Sequence, residues 1–346
     1  MSLSRIYFSA DEDFLSAATV ELRDVFPEAK FGVSGPDLGF IEGDGVSIAN
    51  VASIARGLET PIVFVRHLMR GVGETALPTT IEELATVIPQ ALAGWQQFPV
   101  PASVSLQVWG SGSEPPELPV RMDELWHLLA DSLRDNGIDV ARAGRDHILS
   151  ACVTPSGIVL GSNQRGNAMS DWPGGRVRLS KPKGQISRSE FKLEELLRSH
   201  NIKLPEGAAL DLGASPGGWT RILREHKLMV WAVDPADLDP RIAGDRGVKH
   251  VRTTAGTFLH DTDRTFDLVV NDMRMTPPLS CELMLSASGL LNPGGMMIQT
   301  LKISPHHGLD MVRQSLHTLR RRYDLDFVRQ LQHNRNEVTV VAHHRG

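Results

Sequence analysis

Residues Asp211 to Thr220 read DLGASPGGWT, a short apolar stretch ending in an acid, followed by a run of small residues and then by a helix-like segment. Glycines at the turn from a strand into a helix let a ligand approach the backbone closely, and the helix start presents unpaired N–H groups. A second acid, Asp234, ends the next apolar stretch 23 residues on, where a carboxylate can accept both hydroxyls of an adenosine ribose. Together these residues predict a nucleoside-bearing cofactor. A Gly-rich strand-to-helix turn also suits NAD, but Gly213, Gly217 and Gly218 do not have the GxGxxG spacing. The chain also lacks a GxxxxGK[ST] phosphate loop, so a pyrophosphate cofactor is disfavoured.

Outward from this loop, strand-like runs alternate with helical ones: Ala208–Leu212, Leu228–Val233, Val248–Arg252, Phe266–Asn271, Met296–Leu301, Leu325–Leu331 and Val338–Ala342. Seven strands with intervening helices predict an α/β fold, a doubly wound, Rossmann-like sheet over residues 190–346 with its ligand at the carboxyl edge. Upstream, Trp172–Ser189 contains Arg176, Arg178, Lys181, Lys183 and Arg188 and no acid, as expected of a basic linker that contacts phosphate. Residues 1–72 suggest a β-α-β-β-α-β unit of ferredoxin-like type, with strands Arg5–Ser9 and Pro61–His67 at its ends. Residues 73–171 suggest a second α+β unit, divided from the first by the turn Gly71–Glu74.

The DLGASPGGWT loop closely resembles that of the FtsJ-type RNA ribose 2′-O-methyltransferases, whose cofactor is S-adenosylmethionine. That resemblance implies cofactor contacts from Asp211, Gly213, Pro216, Gly217, Gly218, Trp219, Asp234 and Asp272. Members of the family resemble one another further in a Lys-Asp-Lys-Glu tetrad, and each member has a match here. Lys192 stands in SRSEFKLEEL, Asp272 in VVNDM, Lys302 in IQTLKIS and Glu337 in RNEVTVVAHH. Within the class, Ser187–Lys192, Asp211–Thr220 and Glu337–Val341 are similar to the RlmM family of bacterial 23S rRNA cytidine 2′-O-methyltransferases. Members of that family carry an N-terminal THUMP module, which implies a THUMP-like character for residues 73–171. Where related enzymes place an acid against adenine, this chain reads RTTAGTF, so Thr254 or a backbone group is expected to substitute.

Asp272 and Lys302 fall at carboxyl ends of parallel strands, and Glu337 reaches the same edge if the last strand runs antiparallel. A ribose hydroxyl is a poor nucleophile, so displacement at a sulfonium methyl needs alignment and a base within hydrogen-bond reach. Lys302 is the candidate base; an ordinary lysine pKa near 10.4 must then fall through desolvation and the neighbouring Lys192.

The formal charge of −5 conceals an asymmetry: residues 1–171 hold 11 basic against 22 acidic residues, and residues 172–346 hold 25 against 19. RNA phosphates, ribosomal or in a pre-ribosomal particle, should therefore meet the C-terminal half. His306 and His307 lack metal-ligand spacing, and Arg313 with Arg320–Arg322 suggests either an RNA-facing or a merely solvated helix face. Two cysteines, Cys152 and Cys281, exclude a disulfide framework, no run is long enough to span a membrane, and no metal is expected. A cytoplasmic location is the expectation. Two other classes remain open: an NAD-dependent oxidoreductase, and a ribosome-assembly factor that keeps the pocket with little turnover.

Overall fold

The computed structural model describes residues 5–96 and 100–346, which divide into two compact units, Met1–Arg176 and Val177–Gly346. In the first, the elements run β1 (Ile6–Ser9), α1 (Leu15–Val25), β2 (Lys30–Gly35), β3 (Leu38–Glu42), α2 (Ile48–Arg56) and β4 (His67–Thr75). They continue as α3 (Ile81–Gln96), β5 (Ser103–Gly110), α4 (Met122–Asp135), β6 (Asp139–Ala141), β7 (His147–Thr154) and β8 (Gly157–Gln164). The strands form one sheet in the order β2-β3-β1-β4-β8-β7-β5-β6.

This continuous sheet corrects the expected division at residue 72. The proposed boundary turn, Gly71–Glu74, lies inside β4, which pairs with β1 on one side and β8 on the other. Its glycines mark a register shift between Gly71 and Gly73, a bulge within a strand where the sequence suggests a turn. The run Pro61–His67, expected to be a strand, is buried from Ile62 onward, but only His67 enters a strand. Pro61 has no N–H to donate, and the N–H groups of Val63 and Phe64 donate to the buried Glu21 carboxylate at 2.9 and 3.0 Å, in place of a neighbouring strand. The expected linker is divided as well. Arg176 belongs to the first unit, where it pairs with the buried Asp37 and donates to the Gly112 carbonyl at 2.9 Å.

The second unit runs α5 (Glu190–Ser199), β9 (Ala208–Leu212), α6 (Gly218–Glu225), β10 (Met229–Val233), α7 (Pro240–Ala243), β11 (Val248–Val251) and α8 (Ala255–Asp261). Then follow β12 (Phe266–Asn271), α9 (Pro277–Ala287), β13 (Leu291–Lys302), α10 (Gly308–Leu319), β14 (Tyr323–Arg329) and β15 (Glu337–His344). The sheet order is β11-β10-β9-β12-β13-β15-β14. The pairs among β9 to β13 are parallel, and β15 is antiparallel to both its neighbours. Strands buried on both faces read as continuous apolar runs, which is why their positions are legible in the sequence. Leu193 and Leu196 of α5 and Ile222 and Leu223 of α6 pack on Val230, Leu268 and Ile298, each burial stabilising by about 1.5–3 kcal/mol. This packing fixes α5 on the sheet and so sets the height of Lys192 above the carboxyl edge.

Candidate active site

All four expected catalytic side chains meet at that edge. Lys192 projects from the first turn of α5, Asp272 follows β12 directly, and Lys302 and Glu337 sit opposite each other as a register pair of β13 and β15. Lys192 Nζ lies 2.9 and 3.1 Å from the two Asp272 oxygens and 2.5 Å from Glu337 Oε2, the last an ion pair without hydrogen-bond alignment. Lys302 Nζ lies 2.8 Å from Asp272 Oδ1 and 2.9 Å from Glu337 Oε1. Asp272 and Glu337 thus share two lysine nitrogens, all four side chains being 14–20% exposed. For Lys192, burial acts to lower the pKa but the carboxylates of Asp272 and Glu337 outweigh it, so the net shift is upward. Lys192 is therefore held as a cation.

A fifth side chain belongs to this group and escapes the sequence reading. The Thr300 hydroxyl donates to Asp272 Oδ1 at 2.5 Å and accepts from Lys302 Nζ at 2.8 Å. Two residues apart on a strand, Thr300 and Lys302 face the same side of the sheet, and that alternation is the signal that could have found it. Behind the acid, Asn271 donates to Ser280 and accepts from the Met273 N–H at 2.9 Å, fixing the loop that follows Asp272.

The glycine loop joins β9 to α6 at the same edge. Gly217 takes a left-handed φ of 109°, and a Cβ there would lie 2.7 Å from Ile242 Cγ2, so glycine alone fits. A Cβ on Gly213 would lie 2.0 Å from the Met273 side chain, which follows Asp272 and brings the loop and the tetrad together. Asp234 accepts from the Ser215 N–H at 3.1 Å and the Ala236 N–H at 2.8 Å, which ties the end of β10 to the loop. Asp211 is fully buried; burial raises its pKa to about 7, against the 2.6 Å hydrogen bond from Thr220, with Asp272 and Asp234 adding to the rise. Pro216 is exposed at the tip of the loop.

Other expected contacts lie elsewhere. Trp219 turns into the core beside Leu193 and Ile222, its indole N–H donating to the Ser189 carbonyl at 2.9 Å. The Thr254 hydroxyl caps α8, accepting from the Thr257 N–H at 3.2 Å. Arg178, Lys181, Lys183 and Arg188 are exposed, whereas Arg176 is held by Asp37 in the other unit. Arg313 lies on α10, while Arg320–Arg322 lie beyond its end; His306 and His307 are exposed in the turn before it. Among the described residues no cluster suits a metal ion, and no helix is long and apolar enough to cross a membrane.

The family match falls in the same half of the chain. Residues 185–339 match the family model of the FtsJ-like methyltransferases. The second unit carries an FtsJ-like methyltransferase domain. The domain match begins at Gln185, before α5, and ends at Thr339, two residues beyond Glu337, so it contains all four members of the tetrad and the cofactor loop. The chain is 37% identical over 182 residues to the ribosomal RNA large subunit methyltransferase M of Halorhodospira halophila, covering 49% of this chain and 51% of that protein. It is 32% identical over 206 residues to the protein of the same name from Alkalilimnicola ehrlichii, with 57% and 53% covered. A third, from Thauera aminoaromatica, is 32% identical over 233 residues, 61% of each chain. The matched region spans about half the length of the first two relatives.

Proposed function

We propose that this protein is an S-adenosylmethionine-dependent methyltransferase acting on a ribose 2′-hydroxyl of RNA, with a cytidine of 23S ribosomal RNA as the favoured target. One observation carries this reading: two lysines and two acids from four separate elements meet within hydrogen-bond distance beside a glycine loop that ends at a nucleoside-type acid. The glycines leave room for a ligand against the backbone, and the carboxylates Asp234 and Asp272, just past the ends of β10 and β12, suit a cofactor with ribose hydroxyls and a positive charge. The backbone of Gly213–Gly218 and the Asp234 carboxylate would hold it. S-adenosylmethionine supplies a methyl group activated by a sulfonium.

The protein's own part is to align the hydroxyl and receive its proton. Lys192, held charged by its two acids, serves as a fixed donor that orients the ribose oxygen, which leaves Lys302, after it has released a proton to solvent, as the neutral amine that takes the hydroxyl proton. Asp272 and Glu337 keep both nitrogens aimed at one point, a positioning effect that substitutes for diffusive encounter. RNA would approach along Arg178, Lys181, Lys183 and Arg188, and action on ribosomal RNA fits a cytoplasmic location.

The test is methyl transfer from labelled cofactor to ribosomal RNA, scored as alkali-resistant dinucleotides. Lys302→Ala is expected to lower transfer at least about 10³-fold while cofactor affinity stays within twofold. Label recovered on a base, or an undiminished Lys302→Ala enzyme, overturns the reading; label in a different RNA corrects the substrate alone.

A further inference from the structure

Glu195 lies on α5 one turn beyond Lys192, with its side chain only 2% exposed, and its hydrogen bonds run to residues outside the tetrad. Its two oxygens accept three hydrogen bonds from one short turn: the Gln332 N–H at 2.8 Å, the His333 N–H at 2.9 Å and the His333 ring Nδ1 at 2.6 Å. The His333 ring also stacks on Phe191, the residue before Lys192, with centroids 5.1 Å apart. That turn, Gln332–Asn334, leads after two residues into β15, whose first residue is Glu337. Its far side is fixed too: the Asn334 amide donates to Thr339 Oγ1 at 2.8 Å, and Gln330 Nε2 donates to the Arg335 carbonyl at 2.7 Å. The helix that carries Lys192 and the strand that carries Glu337 are thus joined by a buried carboxylate one helical turn from the first and one short connector from the second.

We propose that Glu195 is a positioning residue that, with His333, sets the Lys192–Glu337 ion pair and so the aim of Lys192 at the ribose oxygen. The inference rests on the methyltransferase reading for its kinetic arm only. A buried acid with three donors from one turn holds that turn rigidly, because each broken bond would leave a desolvated oxygen. The effect passes to the chemistry through Glu337, so the loss of Glu195 should lower the rate of the chemical step and spare cofactor binding.

Glu195→Ala, Glu195→Gln and His333→Phe test this. The first readout is the rate at which Lys192 is acetylated by acetic anhydride in the folded protein, measured by mass spectrometry against exposed Lys249 on the far edge strand. The rate at Lys192 is expected to rise at least fivefold in Glu195→Ala, less in Glu195→Gln, which keeps one acceptor, and about twofold in His333→Phe, which keeps the stack on Phe191. The second readout is single-turnover ribose methylation, expected to fall at least tenfold in Glu195→Ala with cofactor Kd within twofold. In a Glu337→Ala background the same substitution should cost less than a further twofold, since its route to the chemistry is already cut. Unchanged labelling of Lys192, a loss that persists in the Glu337→Ala background, or cofactor affinity that falls in step with rate overturns the inference. If Glu195→Ala does not fold, His333→Phe decides the labelling arm. A wild-type protein that methylates no ribose defeats the functional reading, and the labelling arm still decides this one.

Discussion

Each unit buries carboxylates, and the two units use them differently. In the first, Asp37 is 3% exposed at its side chain and is closed off by Arg176, the Ser111 hydroxyl and the Gly112 N–H. Glu21 likewise faces the backbone of Val63 and Phe64. These acids are satisfied by fixed neighbours and have no face left for a substrate. In the second, Asp272 and Glu337 are 15% and 17% exposed and share two lysines whose long side chains end at the sheet edge. A buried charge that is fully enclosed braces the fold; one that is paired but left ajar can exchange partners when a substrate arrives.

The largest expected effect that separates these roles is that of Asp272→Ala. It removes the acceptor shared by Lys192, Lys302 and Thr300, and methyl transfer should fall about 10³-fold, some 4 kcal/mol of transition-state stabilisation, in single-turnover assays. Melting of the first unit should not change. Arg176→Ala should do the reverse. It leaves Asp37 buried without its cation, destabilising the first unit by about 3 kcal/mol in denaturant melts, with methylation of a short RNA retained at permissive temperature.

Acid should act on both units. His67 and His200 are each lowered from 6.5 to about 4 by burial, with Arg329 adding to the shift at His200. Between those values the unfolded chain binds the extra proton, so this stability is fully present above pH 6.5 and is lost as pH falls towards 4. From pH 7.5 to 5 the first unit should lose up to about 2 kcal/mol in urea titrations, whereas in the second the loss at His200 is offset by the raised pKa of Asp211. His67→Leu should flatten that slope in the first unit only. Asp211 works in the opposite sense: raised to about 7, it costs stability as pH rises from about 4 through 7, so Asp211→Asn should raise the melting temperature at pH 8. Smallest of all, Lys181→Ala with Lys183→Ala should weaken RNA binding severalfold and reduce the salt slope by about 0.7 for each phosphate no longer neutralised, with no change in melting.

The second unit was the more legible in sequence, for a physical reason. Its parallel strands are buried on both faces and announce themselves as unbroken apolar runs, and a left-handed turn such as Gly217 leaves a glycine that cannot be substituted. The first unit is built from pairings distant in sequence, β4 with β8 and β1 with β3, and local pattern carries no information about which strands will be neighbours. The short β6 gave no periodic signal at three residues. Local reading also misplaced side chains whose partners are remote: Arg176, whose acid is Asp37, and Trp219, which turned inward. Nothing local in KLEEL marks Glu195, because the N–H groups it serves come from residues 332 and 333.

Inserting the reversed strand β15 between two forward ones has an evolutionary corollary. Glu337 reaches the edge only because β15 starts where β13 ends, and side chains along a strand alternate between faces. A residue added to or deleted from the connector 330–336 that shifted β15 by one place would turn Glu337 to the opposite face and seat a neighbour in its place. That connector should therefore tolerate exchange of its letters far better than any change in their number.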